Sequence, residues 1–71
     1  MQYDYSKLKG RIKEKCGNQN QFQEKMGLSH TSINKKLNNK VQFTQEDIEK
    51  AIEILELDKK DIPLYFFTIK V

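Results

Sequence analysis

Seventy-one residues set the size of one domain, 1–71, whose core supplies no more than about 3–5 kcal/mol net, so a dimer or another partner is a natural source of extra stability. No apolar stretch approaches the length of a membrane span and MQYDYSK is not a signal peptide, while one cysteine and one histidine argue against an internal disulfide or a metal site; a cytoplasmic protein without cofactor or small-molecule substrate is expected. The net charge of +3 hides a segregation: residues 1–40 hold nine Lys or Arg against three Asp or Glu, and residues 41–71 hold four against seven. A balance of +6 in one half fits a phosphate-bearing partner, which rewards each neutralised charge by counterion release.

The first helix is expected from Tyr5 or Ser6 to Cys16, with Asp4 or Ser6 as cap and Gly17 as stop. Its inward stripe is Tyr5, Leu8, Ile12 and Cys16, which makes Cys16 a buried structural thiol. Lys7, Lys9, Arg11, Lys13 and Lys15, taken singly, read as a solvated face. Gly10 weakens the helix by roughly 1 kcal/mol against alanine, unless another backbone comes close there.

QFQEKM, then Gly27, then LSHTSINKKL make two short helical patterns joined by a glycine turn, about residues 19–37. Gly27 takes the left-handed conformation cheaply and stops the first of them. Ser29 restarts the chain as the N-cap of a helix from about His30 to Leu37. Phe22 and Met26 lie four apart on one helix, Ile33 and Leu37 four apart on the next, and Leu28 sits between; these five form the seam. The face left over shows His30, Thr31, Asn34, Lys35 and Asn38, all able to donate or accept at a base edge or a phosphate. His30 has no carboxylate or nucleophile spaced to partner it, so it reads as a surface contact rather than a general base.

Asn38-Asn39-Lys40 is a turn, after which Val41 and Phe43 fold back onto the core. Thr44 opens a fourth helix through a capping-box variant with Asp47 at the third position, and Ile48, Ala51, Ile52 and Leu55, continued by Leu57, face inward. Ile54 falls outside that stripe. Asp58-Lys-Lys-Asp61 starts a short fifth helix, and Pro63 leads into LYFFTIKV. As a strand, that segment places Tyr65, Phe67, Ile69 and Val71 on one face. Two readings stay open for it. Leu64, Phe66 and Phe67 close the bottom of the core, or the last residues form an arm that, with Ile54, binds another chain.

NQNQFQEKMGLSHTSINKKLNNK resembles the helix-turn-helix core of the Cro and CI repressors of temperate phages, and the chain around it resembles the small Cro-type regulators of phages of Gram-positive bacteria, among them the modulators of repression of lactococcal phages. The resemblance implies an all-α, five-helix domain with a short extended apolar C-terminal tail. It also implies that Gln19 touches phosphate, that His30, Thr31, Ser32, Asn34 and Lys35 lie at the bases on the recognition helix, about 29–37, and that Asn38 and Lys40 meet backbone; the cap Ser29 is counted with the same DNA- or partner-binding surface. Gln23 departs from the pattern, because the family has a small residue where the two helices come closest; either the helices splay or the glutamine stem snorkels past. By chemistry Asn34 suits adenine and Lys35 suits guanine.

Two functions follow from these residues. One is operator reading on double-stranded DNA, with a homodimer spanning two half-sites. Another is association with the phage CI-type repressor, in its extreme form an antirepressor that masks the repressor's DNA-reading surface. An enzyme is not expected, since no nucleophile, base or metal constellation supports one.

Overall fold

In a computed structural model, which describes residues 2–71, the chain is all-helical: α1 Ser6–Cys16, α2 Gln19–Met26, α3 His30–Leu37, α4 Gln45–Ile54 and α5 Ile62–Phe66, the last preceded by a 3₁₀ turn at Lys59–Asp61. Leu8, Phe22, Ile33, Ala51 and Leu55 are fully buried, and Tyr5, Ile12, Met26, Leu37, Ile52 and Phe66 close around them. Every helix therefore gives at least one side chain to one core. α1 packs on α2 and α5, and α2 packs in turn on α3 and α4. No helix of the described residues is long and apolar enough to cross a membrane.

The helix ends follow from local chemistry. Asn18, Ser29 and Thr44 each accept a backbone N–H of their own first turn, at 2.8, 3.1 and 3.1 Å, which satisfies amides that the helix itself cannot. At Thr44 the box is reciprocal, since its N–H donates to Asp47 Oδ2 at 3.0 Å. α1 is opened differently: Tyr5 holds the cap position without a side-chain bond, and the Asp4 carboxylate accepts the Ser6 N–H at 2.9 Å. Gly17 and Gly27 end α1 and α2 at φ of +87° and +71°, where a side chain would be strained. Gly10 serves no close approach, because a Cβ built there meets nothing within 4 Å.

Two ion-paired residues tie the helices together. Lys36, on α3 but buried, pairs with Asp47 on α4 at 2.8 Å and donates to the Gln42 carbonyl at 3.3 Å. Arg11 reaches from α1 to the end of α4, where Nε donates to the Leu55 carbonyl at 3.1 Å and Nη2 to the Glu56 carbonyl at 3.3 Å. These are carbonyls that α4 leaves without a partner, and the guanidinium suits the negative end of its dipole.

Several expectations are corrected. The C-terminal segment is not a strand from Leu64: α5 runs to Phe66, and only the residues after it are extended, with Ile69 in an isolated antiparallel bridge to Tyr3. Phe66 closes the core, edge-on to Phe43, whereas Leu64 and Phe67 stay 42% and 48% exposed. Phe43 does fold back, wedged between Tyr5 and Phe66, but Val41 remains exposed. Ile54 is no surface residue; it is half-buried against the core, as is Cys16. Gln23 does not snorkel out either, since its Oε1 is closed off from solvent and has no hydrogen-bond partner among the described residues.

Candidate functional site

α3 is two turns of helix with two unlike sides. Ile33, Lys36 and Leu37 are buried, and His30, Thr31 and Lys35 are exposed. The helix is fixed at both ends, by the Ser29 cap at its start and by the Lys36–Asp47 pair near its close. Ser29 also donates from its hydroxyl to Ser32 Oγ at 3.1 Å, so both serines are spent on the helix start. After Leu37 the chain turns through Asn38 and Asn39. Lys40 and Val41 return their N–H groups to the Lys35 carbonyl at 2.8 and 3.3 Å, leaving the Asn38 and Lys40 side chains exposed.

The structure joins three of the expected contact residues in one chain of hydrogen bonds. Gln19, at the start of α2, donates from Nε2 to Asn34 Oδ1 at 3.1 Å, and Asn34 Nδ2 lies 3.2 Å from His30 Nε2. With its oxygen turned to Gln19, Asn34 offers His30 only N–H donors. In that orientation His30 Nε2 accepts; with the Gln19 and Asn34 carboxamides both turned, the same contacts form with Nε2–H as donor. Thr31 and Lys35 lie outside this chain, one helical turn from each other.

Two residues that the sequence reading passed over position the site. Lys36, to which the local pattern gives no role, anchors α3. Burial pushes the Asp47 carboxyl up, but the bonds from Lys36 and from the Thr44 backbone and hydroxyl outweigh it and hold the group below the ordinary carboxylate range. Asn39 is the second. At φ of +63° its carboxamide clamps Tyr3, accepting the Tyr3 N–H at 2.8 Å and donating to the Tyr3 carbonyl at 2.9 Å. The other edge of that segment pairs with the tail, Asp4 N–H to the Thr68 carbonyl at 2.7 Å and Lys70 N–H to the Gln2 carbonyl at 3.0 Å. An asparagine in a turn after a helix is the signal that points to a left-handed residue; its tertiary partner leaves no trace in the local pattern.

Of the residues expected to meet a partner away from α3, Ile54 and Tyr65 are half-buried against the core. Phe67 and Ile69 are each 48% exposed, and Phe67 lies edge-on to Tyr3 at 5.8 Å. The structure thus splits this group in two. The tail pair offers the larger apolar surface.

A family model described as "Protein of unknown function (DUF739)" matches residues 1–69. Among solved structures, the chain is similar to the solution structure of the modulator of repression (MOR) of the temperate bacteriophage TP901-1 from Lactococcus lactis. Identity is 52% over 100% of this chain and 96% of that one, with a TM-score of 0.85. No curated protein matches the sequence.

Proposed function

The chain belongs to the DUF739 family, and from that premise we propose that it regulates a temperate-phage repression switch, presenting α3 of a helix-turn-helix to operator DNA and acting in association with the phage's CI-type repressor. The observation that carries this reading is the two-sidedness of α3: a short helix locked to the core by Ile33, Lys36 and Leu37, with polar and cationic groups turned outward. Such a helix fits a major groove, and the basic balance of residues 1–40 suits the phosphates on either side. Likeness to a protein titled a modulator of repression supports the part played by the repressor.

A second reading rests on the small number of free cations on α3. Of its two lysines in sequence, Lys36 is committed to Asp47, which leaves Lys35 for phosphate or base. In this reading the same face covers the repressor's DNA-reading surface, and the protein is an antirepressor with little affinity of its own for DNA. Titration of the protein against switch-region DNA of its phage at two salt concentrations, with and without the cognate repressor, separates the two. Binding alone, with a steep loss at higher salt and selectivity over random DNA, supports operator reading. No shift alone, with the repressor's own shift abolished, supports the antirepressor.

A further inference from the structure

We infer that Lys70, on the extended tail, and Lys9, on α1, hold a phosphate of the operator backbone in the hollow that they share beside Asn38, at the end of α3. The inference rests on the operator-reading proposal above and extends it to a residue of the acidic half of the chain. The tail and the N-terminal segment form a two-faced ribbon. The bonds from Asp4 N–H to the Thr68 carbonyl and from Lys70 N–H to the Gln2 carbonyl flank the Tyr3–Ile69 bridge, which places Tyr3 and Ile69 on one face and Gln2, Asp4, Thr68 and Lys70 on the other. The first face turns toward the aromatic side of the core, where Tyr3 lies 6.2 Å from Tyr5. The second borders a polar hollow of about 260 Å³, closed by Lys9 and by the end of α3 at Leu37, Asn38 and Asn39. Asn39 locks the ribbon there. At about 4.8 Å per strand step, the Lys70 backbone lies about 10 Å from that carboxamide.

The fold sorts its cations into two kinds. Arg11, Lys15 and Lys36 are drawn into pairs, whereas Lys9 and Lys70 are exposed and make no ion pair among the described residues. Asp4 is the one carboxylate on the hollow, and its Oδ1 is already engaged by the Ser6 N–H at 2.9 Å. Its carboxyl is held below the ordinary carboxylate range by the Ser6 hydroxyl and N–H first and then by the charges of Lys70 and Lys9, which marks both ammonium groups as its neighbours. Two cations against one anion leave the hollow positive, and an anion seated between the lysines offsets their mutual repulsion. Lys9 also borders, with Lys13 and Gln19, the groove between α1 and the start of α2. It therefore stands between Gln19 and Asn38, the two ends that the family resemblance places on the DNA backbone, and both hollows touch Leu37. A phosphodiester strand, with one charge after another along it, fits that row of groups. Contacts of this kind add affinity and register but read no base.

The test titrates the full-length protein against a labelled duplex of its phage's switch region and against a random duplex. Lys70→Gln and Lys9→Gln should each weaken binding about three- to tenfold at about 0.1 M salt, equally on both duplexes, and make the salt slope shallower by about one. Lys70→Arg keeps the charge and should restore the slope. Asp4→Asn keeps an oxygen for the Ser6 N–H but removes the charge that competes for the two lysines, so it should tighten binding about two- to threefold. A scan of single uncharged methylphosphonates along the switch-region duplex then locates the contact. The wild-type protein should lose affinity at one phosphate where Lys70→Gln and Lys9→Gln lose nothing further. If Lys35→Gln and Lys40→Gln flatten the slope while Lys70→Gln and Lys9→Gln leave it unchanged, operator reading stands and the two lysines only balance Asp4. If Lys70→Gln keeps full DNA binding but associates more weakly with the cognate repressor, the hollow belongs to a protein interface and the phosphate assignment fails. A wild-type protein that binds neither duplex at any salt concentration sinks operator reading itself, and this assignment with it.

Discussion

Asp47 does three things with one carboxylate: it accepts from Lys36 at 2.8 Å, accepts the Thr44 N–H at 3.0 Å, and places a negative charge in the first turn of α4. Its pKa is lowered on folding, so the folded state prefers the ionised form more strongly than the unfolded chain does. The resulting stabilisation is present in full above the unfolded carboxylate value, about 3.9, and is lost as pH falls through the lower folded value. Asp47→Asn is therefore expected to cost about 3 kcal/mol at pH 7, the low end for breaking a buried pair, and to flatten the acid limb. Urea midpoints at pH 7 and pH 3 check both. A variant as acid-sensitive as the wild type would assign that limb to other carboxylates. Residue-scale facts of this sort were the least legible from sequence. Lys36 is adjacent to Leu37 and one turn from Ile33, so its burial was geometrically open, but the partner that makes burial tolerable lies on another helix. The unpartnered Gln23 oxygen is of the same kind: the departure from the family pattern was readable, and the side chain's fate was decided by packing.

At the scale of elements the sequence was far more informative, because helix ends are written in nearest-neighbour chemistry. Gly17, Gly27, Ser29 and Thr44 act where their types and spacing placed them, and α1 and α4 follow from their apolar stripes. The C-terminus misled for a definable reason. Over a run as short as Leu64 to Val71, alternation and a single helical turn select overlapping sets of residues. Pro63 in the first turn and the four-residue spacing of Ile62 and Phe66 favour the helix, and the core decides by taking Phe66. What then anchors the extended tail is Asn39, through Tyr3. Asn39→Ala removes both bonds of that clamp and leaves an alanine at positive φ, and should lower stability by about 2–3 kcal/mol. Asn39→Gly relieves the backbone and loses only the bonds, so its loss should be about 1 kcal/mol smaller. Thermal melts compare the two, and hydrogen exchange at the Tyr3, Asp4 and Lys70 amides shows whether the segment opens with the clamp. Amides that stay protected in both variants would mean that the tail is held by Phe67 on Tyr3 instead.

Across the whole molecule the charge segregation read from the sequence is weakened by the fold. Arg11, Lys15 and Lys36 are drawn into pairs with Glu14, Glu56 and Asp47, which takes three of the nine cations of residues 1–40 out of direct play. The field that remains near α3 comes from few groups, chiefly Lys35 and Lys40. If these and a handful of α1 and α2 lysines meet phosphates, the logarithm of the operator binding constant should fall against the logarithm of salt with a slope of about −3 to −5. Lys35→Gln and Lys40→Gln should each make that slope shallower by about one. Lys60→Gln, in the acidic part of the chain and 4.0 Å from Asp58, should leave it unchanged. Anisotropy titrations of labelled operator duplex between about 50 and 200 mM salt cover the range in which such slopes are resolved. The three variants also discriminate between the two functional readings. A long-range field would let Lys60 count nearly as much as Lys35 at low salt, whereas docked phosphates make the effect local to α3, because beyond a Debye length of about 10 Å at 0.1 M salt an exposed charge is largely screened. A slope near zero that none of the three substitutions moves would separate α3 from the phosphate backbone altogether. The exposed face of α3 would then be available to the repressor alone, and the regulatory effect would have to run through protein contact.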